Sequence, residues 1–101
     1  MPEGYNKLVR DKIPELLDSK GIPYEKRIAT EEELLPELIK KLGEETKEFT
    51  ENPNSEELAD VIQVIETLKK LPQFSNVEEI RTKKLAEKGG FYKRIILKGE
   101  K

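Results

Sequence analysis

Acidic residues lie on both sides of one short turn in the stretch GEETKEFTENPNSEELAD, residues 43–60. Glu45 and Glu48 before the turn are three residues apart, and so are Glu57 and Asp60 after it. On a helix this spacing brings both carboxylates of a pair to one face. The chain has no histidine and no cysteine, so the residues predict oxygen ligation of a hard divalent cation, Mg²⁺ or Mn²⁺.

The composition predicts a small helical protein. The chain has 101 residues, of which 40% are charged and 35% apolar, a mixture typical of amphipathic helices around a thin core. A thin core favours an interface shared between copies of the chain.

Charge and hydropathy limit the partners and the location. The formal net charge is −2, so the overall field favours neither a nucleic acid nor an anionic membrane as a partner. No apolar run approaches the roughly 20 residues needed to cross a bilayer, and no apolar secretion signal begins the chain. We therefore expect a cytoplasmic protein.

Two apolar stripes at helical spacing flank the turn at residues 52–55. Thr30 and Glu33 form a capping box that begins the first helix, which extends to about Glu51. Pro36 either kinks this helix or marks its true first turn. The second stripe begins at Leu58 and ends near residues 71–72. The fold class we predict is mainly α, built around an antiparallel hairpin of these two helices.

Shorter elements precede and follow the hairpin. We predict a helix over residues 10–20, with Pro14 in its first turn and Gly21 as its stop. Ser75 and Glu78 predict the N-terminal cap of a fourth helix, which runs to about Lys88. Residues 91–97 alternate weakly, which favours a small two-stranded β element with residues 5–9.

A helical wheel places two carboxylates on the apolar stripes. With Leu42 at zero, Glu45 falls at roughly −60°, and with Ile65 at zero, Glu57 falls at roughly −80°. The other acidic residues lie further round: Glu48 and Asp60 towards the stripe edges, and Glu44 and Glu56 pointing away. Ionised carboxylates on a half-buried face cost several kcal/mol each unless a cation joins them or their pKa values rise.

The same acidic residues also allow a structural interpretation, in which they form ion pairs and a helix cap and bind no metal. Glu45 and Glu48 can pair with Lys41 or Lys47 on a solvated helix face. Glu57 can be the capping-box partner of Asn54.

The acidic pairs match a known signature. Residues 44–48 fit E-E-x-x-E and residues 57–60 fit E-x-x-D, a combination that resembles the MazG-type all-α nucleoside triphosphate pyrophosphohydrolases. The flanks YNKLVRDKIP, residues 5–14, and KLAEKGGF, residues 84–91, are similar to a compact branch predicted to remove noncanonical nucleotides. The resemblance covers most of the chain.

The resemblance implies a single MazG-like domain over residues 1–101 that works as a homodimer or homotetramer. It implies that Glu45, Glu48, Glu57 and Asp60 hold Mg²⁺ while water attacks the α-phosphorus and a nucleoside monophosphate and pyrophosphate leave. An enzymatic alternative is hydrolysis of phosphoribosyl-ATP by a relative of similar size. An alternative of another class is a non-catalytic helical module that binds a nucleotide or a partner.

A triphosphate also needs cations from the protein. The matched flanks supply six candidates: Lys7, Arg10, Lys12, Lys84, Lys88 and Arg94. Arg10, Lys12 and Lys84 are the ones we favour, with ordinary surface residues as the alternative. Phe91 is interpreted as a core side chain, with stacking on a base as the alternative.

Overall fold

The computed structural model describes residues 6–100, which form four α-helices and one 3-10 helix. The helices are α1, Ile13–Ser19; α2, Glu31–Glu51; α3, Ser55–Lys69; and α4, Val77–Lys88, with the 3-10 helix at Pro72–Phe74. The mainly helical fold class is therefore confirmed. No helix within the described part of the chain is long and apolar enough to span a membrane. Two compact units divide after Leu68, and the single domain stays a prediction.

The helix predicted over residues 10–20 is shorter in the structure: α1 begins at Ile13 and ends at Ser19, with the predicted local signals near both ends. Pro14 lies in the first turn, where its missing N–H has no helical partner to lose. Gly21 has a φ of 67°, a left-handed conformation that favours glycine. The Ile22 N–H donates back to the Leu17 carbonyl at 3.0 Å, so the chain turns away from the helix there.

A complete capping box begins α2. The Glu33 N–H donates to Thr30 Oγ1 at 3.2 Å, and the Thr30 N–H donates to Glu33 Oε1 at 2.9 Å. Arg27 donates two further bonds of 2.7 Å to the Glu33 carboxylate. These contacts, Arg27 first, lower the pKa of Glu33 to about 2. The predicted cap is confirmed, and Pro36 lies inside the helix, so Pro36 does not mark its first turn.

Replacing Thr30 with alanine is expected to destabilise the protein by about 1 kcal/mol, because the Glu33 N–H loses its side-chain acceptor. For a domain of this size that lowers the melting temperature by roughly 4 to 8 °C. Thr50→Ala is the matched control, since the Thr50 hydroxyl bonds only the Thr46 carbonyl of its own helix. Equal melting temperatures for the two variants would contradict the assignment.

The buried apolar side chains lie on α2 and α3. Among the described residues they are Leu38 on α2 and Val61 and Val64 on α3. The acidic residues of interest share these faces, because Glu45 follows Leu38 by two helical turns and Glu57 precedes Val61 by one. Glu45 and Glu57 therefore lie at the edge of the thin core.

The predicted cap of α4 is wrong. The helix begins two residues after Ser75, and no side-chain hydrogen bond caps it. Ser75 instead ends the 3-10 helix, where its N–H donates to the Pro72 carbonyl. The Glu78 carboxylate lies 2.7 Å from Arg81 and 2.9 Å from Lys69. Its hydrogen bonds to these two cations lower the pKa of Glu78 to about 2, so this side chain is engaged elsewhere.

The predicted β element is also wrong for the described residues. Residues 6–100 contain no strand, and Tyr5 of the predicted N-terminal strand lies outside them. Phe91 is 97% exposed and Leu97 is 90% exposed. A two-stranded ribbon buries too little surface to be stable by itself, and no sheet receives residues 91–97. The interpretation of Phe91 as a core side chain is wrong for the same reason.

Candidate metal centre

Three of the four predicted metal ligands come together between α2 and α3. Glu45, Glu57 and Asp60 each offer one carboxylate oxygen, and these three oxygens lie within 4.8 Å of one another. Only residues 52–54 connect the two helices. Asn54 Oδ1 accepts a 2.9 Å hydrogen bond from the Glu57 N–H, which fixes the first turn of α3.

Part of this cluster is withdrawn from water. Glu45 is 7% exposed, and Glu57 and Asp60 are half-buried. One oxygen each of Glu45 and Glu57, the Oε2 atoms, is buried without a hydrogen-bond partner. Buried polar groups are rarely left unpaired because the lost hydration is costly. Oxygen atoms of this kind fit a hard divalent cation, which carboxylates coordinate in proteins.

The electrostatics point the same way. Burial raises the pKa of Glu45, and the nearby Glu48 carboxylate is the next cause. Asp60 adds a smaller effect in that direction, and Lys41 opposes it. The pKa is raised overall, so burial together with the neighbouring carboxylates outweighs the stabilisation that Lys41 gives the ionised Glu45.

Among residues 6–100, two cations contact the carboxylate cluster. Arg10 Nη2 donates to Asp60 Oδ1 at 2.7 Å. Lys41 Nζ lies 3.4 Å from Glu45 Oε1 and 3.5 Å from Glu44 Oε2. The ion pair between Lys41 and Glu45 that the structural interpretation predicts is therefore present. The Lys41 side chain is only 18% exposed, so the pair is not on a solvated face.

These groups line one cleft of about 940 Å³. Its charged lining consists of Lys7, Arg10, Asp11, Lys12, Lys41, Glu45 and Asp60. Apolar side chains, among them Val9, Leu34 and Val64, form the remaining wall together with Gln63 and Thr67. Three of the predicted phosphate-binding residues, Lys7, Arg10 and Lys12, thus share a cleft with two of the carboxylates.

The remaining predicted site residues are Glu48 of α2 and three cations of the second compact unit. Glu48 is exposed and contributes no oxygen to the carboxylate cluster, although its charge acts on Glu45. Lys84 and Lys88 of α4 and Arg94 are exposed residues of the second compact unit. Their roles in phosphate binding stay predictions.

Lys41 belongs to the site, although the sequence analysis gave it no role in binding. Its spacing of four to Glu45 places both side chains on one flank of α2. The same spacing occurs in many solvated ion pairs, so it did not by itself mark Lys41 as a residue of the cleft.

No protein-family model, curated protein or solved structure matches this chain. The likeness to MazG-type enzymes therefore rests on the motifs and flanks in the sequence.

Proposed function

We propose that this protein hydrolyses nucleoside triphosphates, noncanonical ones in particular, to a nucleoside monophosphate and pyrophosphate with the help of Mg²⁺. The observation that carries the proposal is the carboxylate cluster of Glu45, Glu57 and Asp60, with two buried oxygens that have no partner. The cluster opens on a cleft that is also lined by cations. Negative groups for a metal beside positive groups for phosphates are what such a reaction needs.

The three clustered carboxylates would hold the metal, and Glu48 would supply a fourth from the next turn of α2. Bound Mg²⁺ lowers the pKa of a water molecule and neutralises phosphate charge. Mn²⁺ prefers similar oxygen ligands. Glu45 suits this role because its buried carboxylate gains most when a cation relieves its repulsion from Glu48.

The cleft lysines and Arg10 would bind the phosphate oxygens. In the proposed reaction a water oxygen bonds to the α-phosphorus, and the bond from that phosphorus to the α,β-bridging oxygen breaks. Pyrophosphate leaves with the bonding electron pair, the α-phosphate stays on the nucleoside, and the proton lost by the water goes to solvent. Arg10 would help because its planar guanidinium binds phosphate oxygens in a fixed geometry.

The same proposal includes a MazG-like bundle around an antiparallel hairpin of α2 and α3, assembled as a homodimer or homotetramer in the cytoplasm. Leu58, Ile62 and Ile65 support the assembly, because they follow one face of α3 and are between 42% and 48% exposed. Light scattering of the purified protein measures its mass. A mass of one chain at high concentration would contradict the assembly.

A non-catalytic helical module is the second candidate, and one observation favours it. Arg10 and Lys41 pair with Asp60 and Glu45. In that case the carboxylates are structural ion-pair partners, and Mg²⁺ has no site to fill.

Incubation with a nucleotide panel separates the candidates. The panel contains standard and noncanonical triphosphates and phosphoribosyl-ATP, each with Mg²⁺, Mn²⁺ or a chelator, and pyrophosphate release is measured. We expect metal-dependent release from at least one triphosphate, and loss of release in Asp60→Asn. Mg²⁺ at a hundred times its Kd should also stabilise the wild type by about 2.7 kcal/mol. If the protein shows no pyrophosphate release and no stabilisation by Mg²⁺, the enzyme is rejected in favour of the non-catalytic module.

A further inference from the structure

Lys41 is a cation built into the carboxylate site. Its ammonium group lies between Glu45 and Glu44, at 3.4 and 3.5 Å from their oxygens. Its side chain is largely withdrawn from solvent, whereas that of its neighbour Lys40 is 65% exposed and lies 3.9 Å from Glu37. Lys41 lines the same cleft as Arg10 and Asp60.

Binding of a metal would make this site less negative. The three clustered carboxylates and the two cations paired with them, Arg10 and Lys41, carry a net charge of −1, and Glu44 and Glu48 add negative charge nearby. A divalent cation would offset part of this negative charge. A triphosphate is a polyanion, so the metal-loaded site would bind it more favourably than the site without metal.

Binding of a metal also competes directly with Lys41. A carboxylate that coordinates a divalent cation has less negative charge to offer an ammonium group, and the cation repels that group. The lysine stem is long and flexible, with three donors at its end. Glu44, 3.5 Å away, would remain a partner on the protein, and a triphosphate in the loaded cleft would offer the ammonium group a further anion.

We propose that Lys41 is a phosphate-binding residue of this site, held by Glu45 until a divalent cation takes over that carboxylate. This inference rests on the proposed function, and it adds to that function a substrate contact that neither acidic motif contains. It also makes metal and nucleotide binding interdependent, because the same event neutralises Glu45 and weakens its ion pair with Lys41.

Two binding measurements on Lys41→Met test the proposal. The first titrates Mn²⁺ into nucleotide-free protein, and the second titrates a triphosphate with a nonhydrolysable α,β-methylene bridge into protein saturated with Mn²⁺. Both are made at pH 8. We expect Mn²⁺ to bind roughly fivefold more tightly, since one ion pair no longer has to be broken. The nucleotide should bind at least about tenfold more weakly, since a charge-assisted hydrogen bond is lost.

Lys41→Arg and Lys40→Met are the matched variants. Lys41→Arg keeps the positive charge and should restore nucleotide affinity to within a few-fold of wild type. Lys40→Met removes the same charge one residue away and should change neither affinity. If Lys41→Met does not fold, as judged by circular dichroism, Lys41→Gln takes its place with the same expectations.

The opposite signs of the two effects separate binding from a structural role. Weaker binding of both Mn²⁺ and the nucleotide in Lys41→Met would show that Lys41 only supports the fold, which overturns the proposal. Unchanged nucleotide affinity beside an active wild type would overturn it as well. A wild type that binds neither Mn²⁺ nor the nucleotide would instead reject the proposed function itself.

Discussion

Replacing Glu45 with glutamine is expected to stabilise the metal-free protein and to abolish its metal-dependent hydrolysis. The substitution removes a carboxylate that is 7% exposed and whose Oε2 has no hydrogen-bond partner. Turnover should fall by a factor of about 100 to 1,000, since a lost metal ligand forfeits several kcal/mol of transition-state stabilisation. The melting temperature without metal should rise by a few degrees, and Mg²⁺ should no longer raise it.

The pH dependence of this gain follows from the raised pKa of Glu45. In the folded state that pKa lies above its usual value of 4.5, with burial as the main cause and the Glu48 carboxylate as the next. The protonated form is therefore favoured by folding, and ionisation at higher pH costs stability. Relative to wild type, Glu45→Gln should show no gain below about pH 4.5 and the full gain above the folded-state pKa. Thermal melts of both proteins across this range measure the difference.

Glu51→Gln is the control for this prediction. Glu51 is exposed at the end of α2, so its replacement should leave turnover and the Mg²⁺-induced rise in melting temperature unchanged. A Glu45→Gln protein that is less stable than wild type and still responds to Mg²⁺ would contradict both the repulsion and the metal site.

Replacing Leu38 with alanine is expected to cause the largest loss of stability of any single truncation. Leu38 is 2% exposed and is one of three buried apolar side chains in the described part of the chain. Leucine-to-alanine changes in a core cost about 2 to 5 kcal/mol. For a domain of this size such a loss lowers the melting temperature by more than about 10 °C. Denaturant unfolding followed by circular dichroism measures the effect.

The neighbouring residue supplies the control. Ile39 is 57% exposed, so Ile39→Ala should cost less than about 1 kcal/mol in a single chain. An equal cost for both variants would contradict the assignment of Leu38 as the core residue of α2. If the cost of Ile39→Ala appears only at high protein concentration, the face of Ile39 is covered in an oligomer.

Local signals in the sequence determined most of the helix boundaries. The Thr30 and Glu33 box, Pro14 and Gly21 each act within a few residues, so their effect can be read without a fold. The predicted cap at Ser75 was wrong because Glu78 is engaged by Arg81 and by Lys69, a residue nine positions earlier in the sequence. The strand over residues 91–97 was wrong because alternation needs a partner strand, and weak alternation says nothing about whether one exists.

The sequence by itself determined which carboxylates face the apolar stripes, because the position of a residue along a helix fixes the direction of its side chain. Only the tertiary structure decided that Glu45 meets Glu57 and Asp60 within 4.8 Å, because that distance depends on how the chain turns at residues 52–54. The tertiary structure also decided which cations pair with these carboxylates. Arg10 is fifty residues from Asp60, and no local pattern links residues that far apart. The spacing of four residues between Lys41 and Glu45 indicates their ion pair. The withdrawal of this pair from water depends on the elements that form the cleft, and the sequence of one helix alone does not determine it.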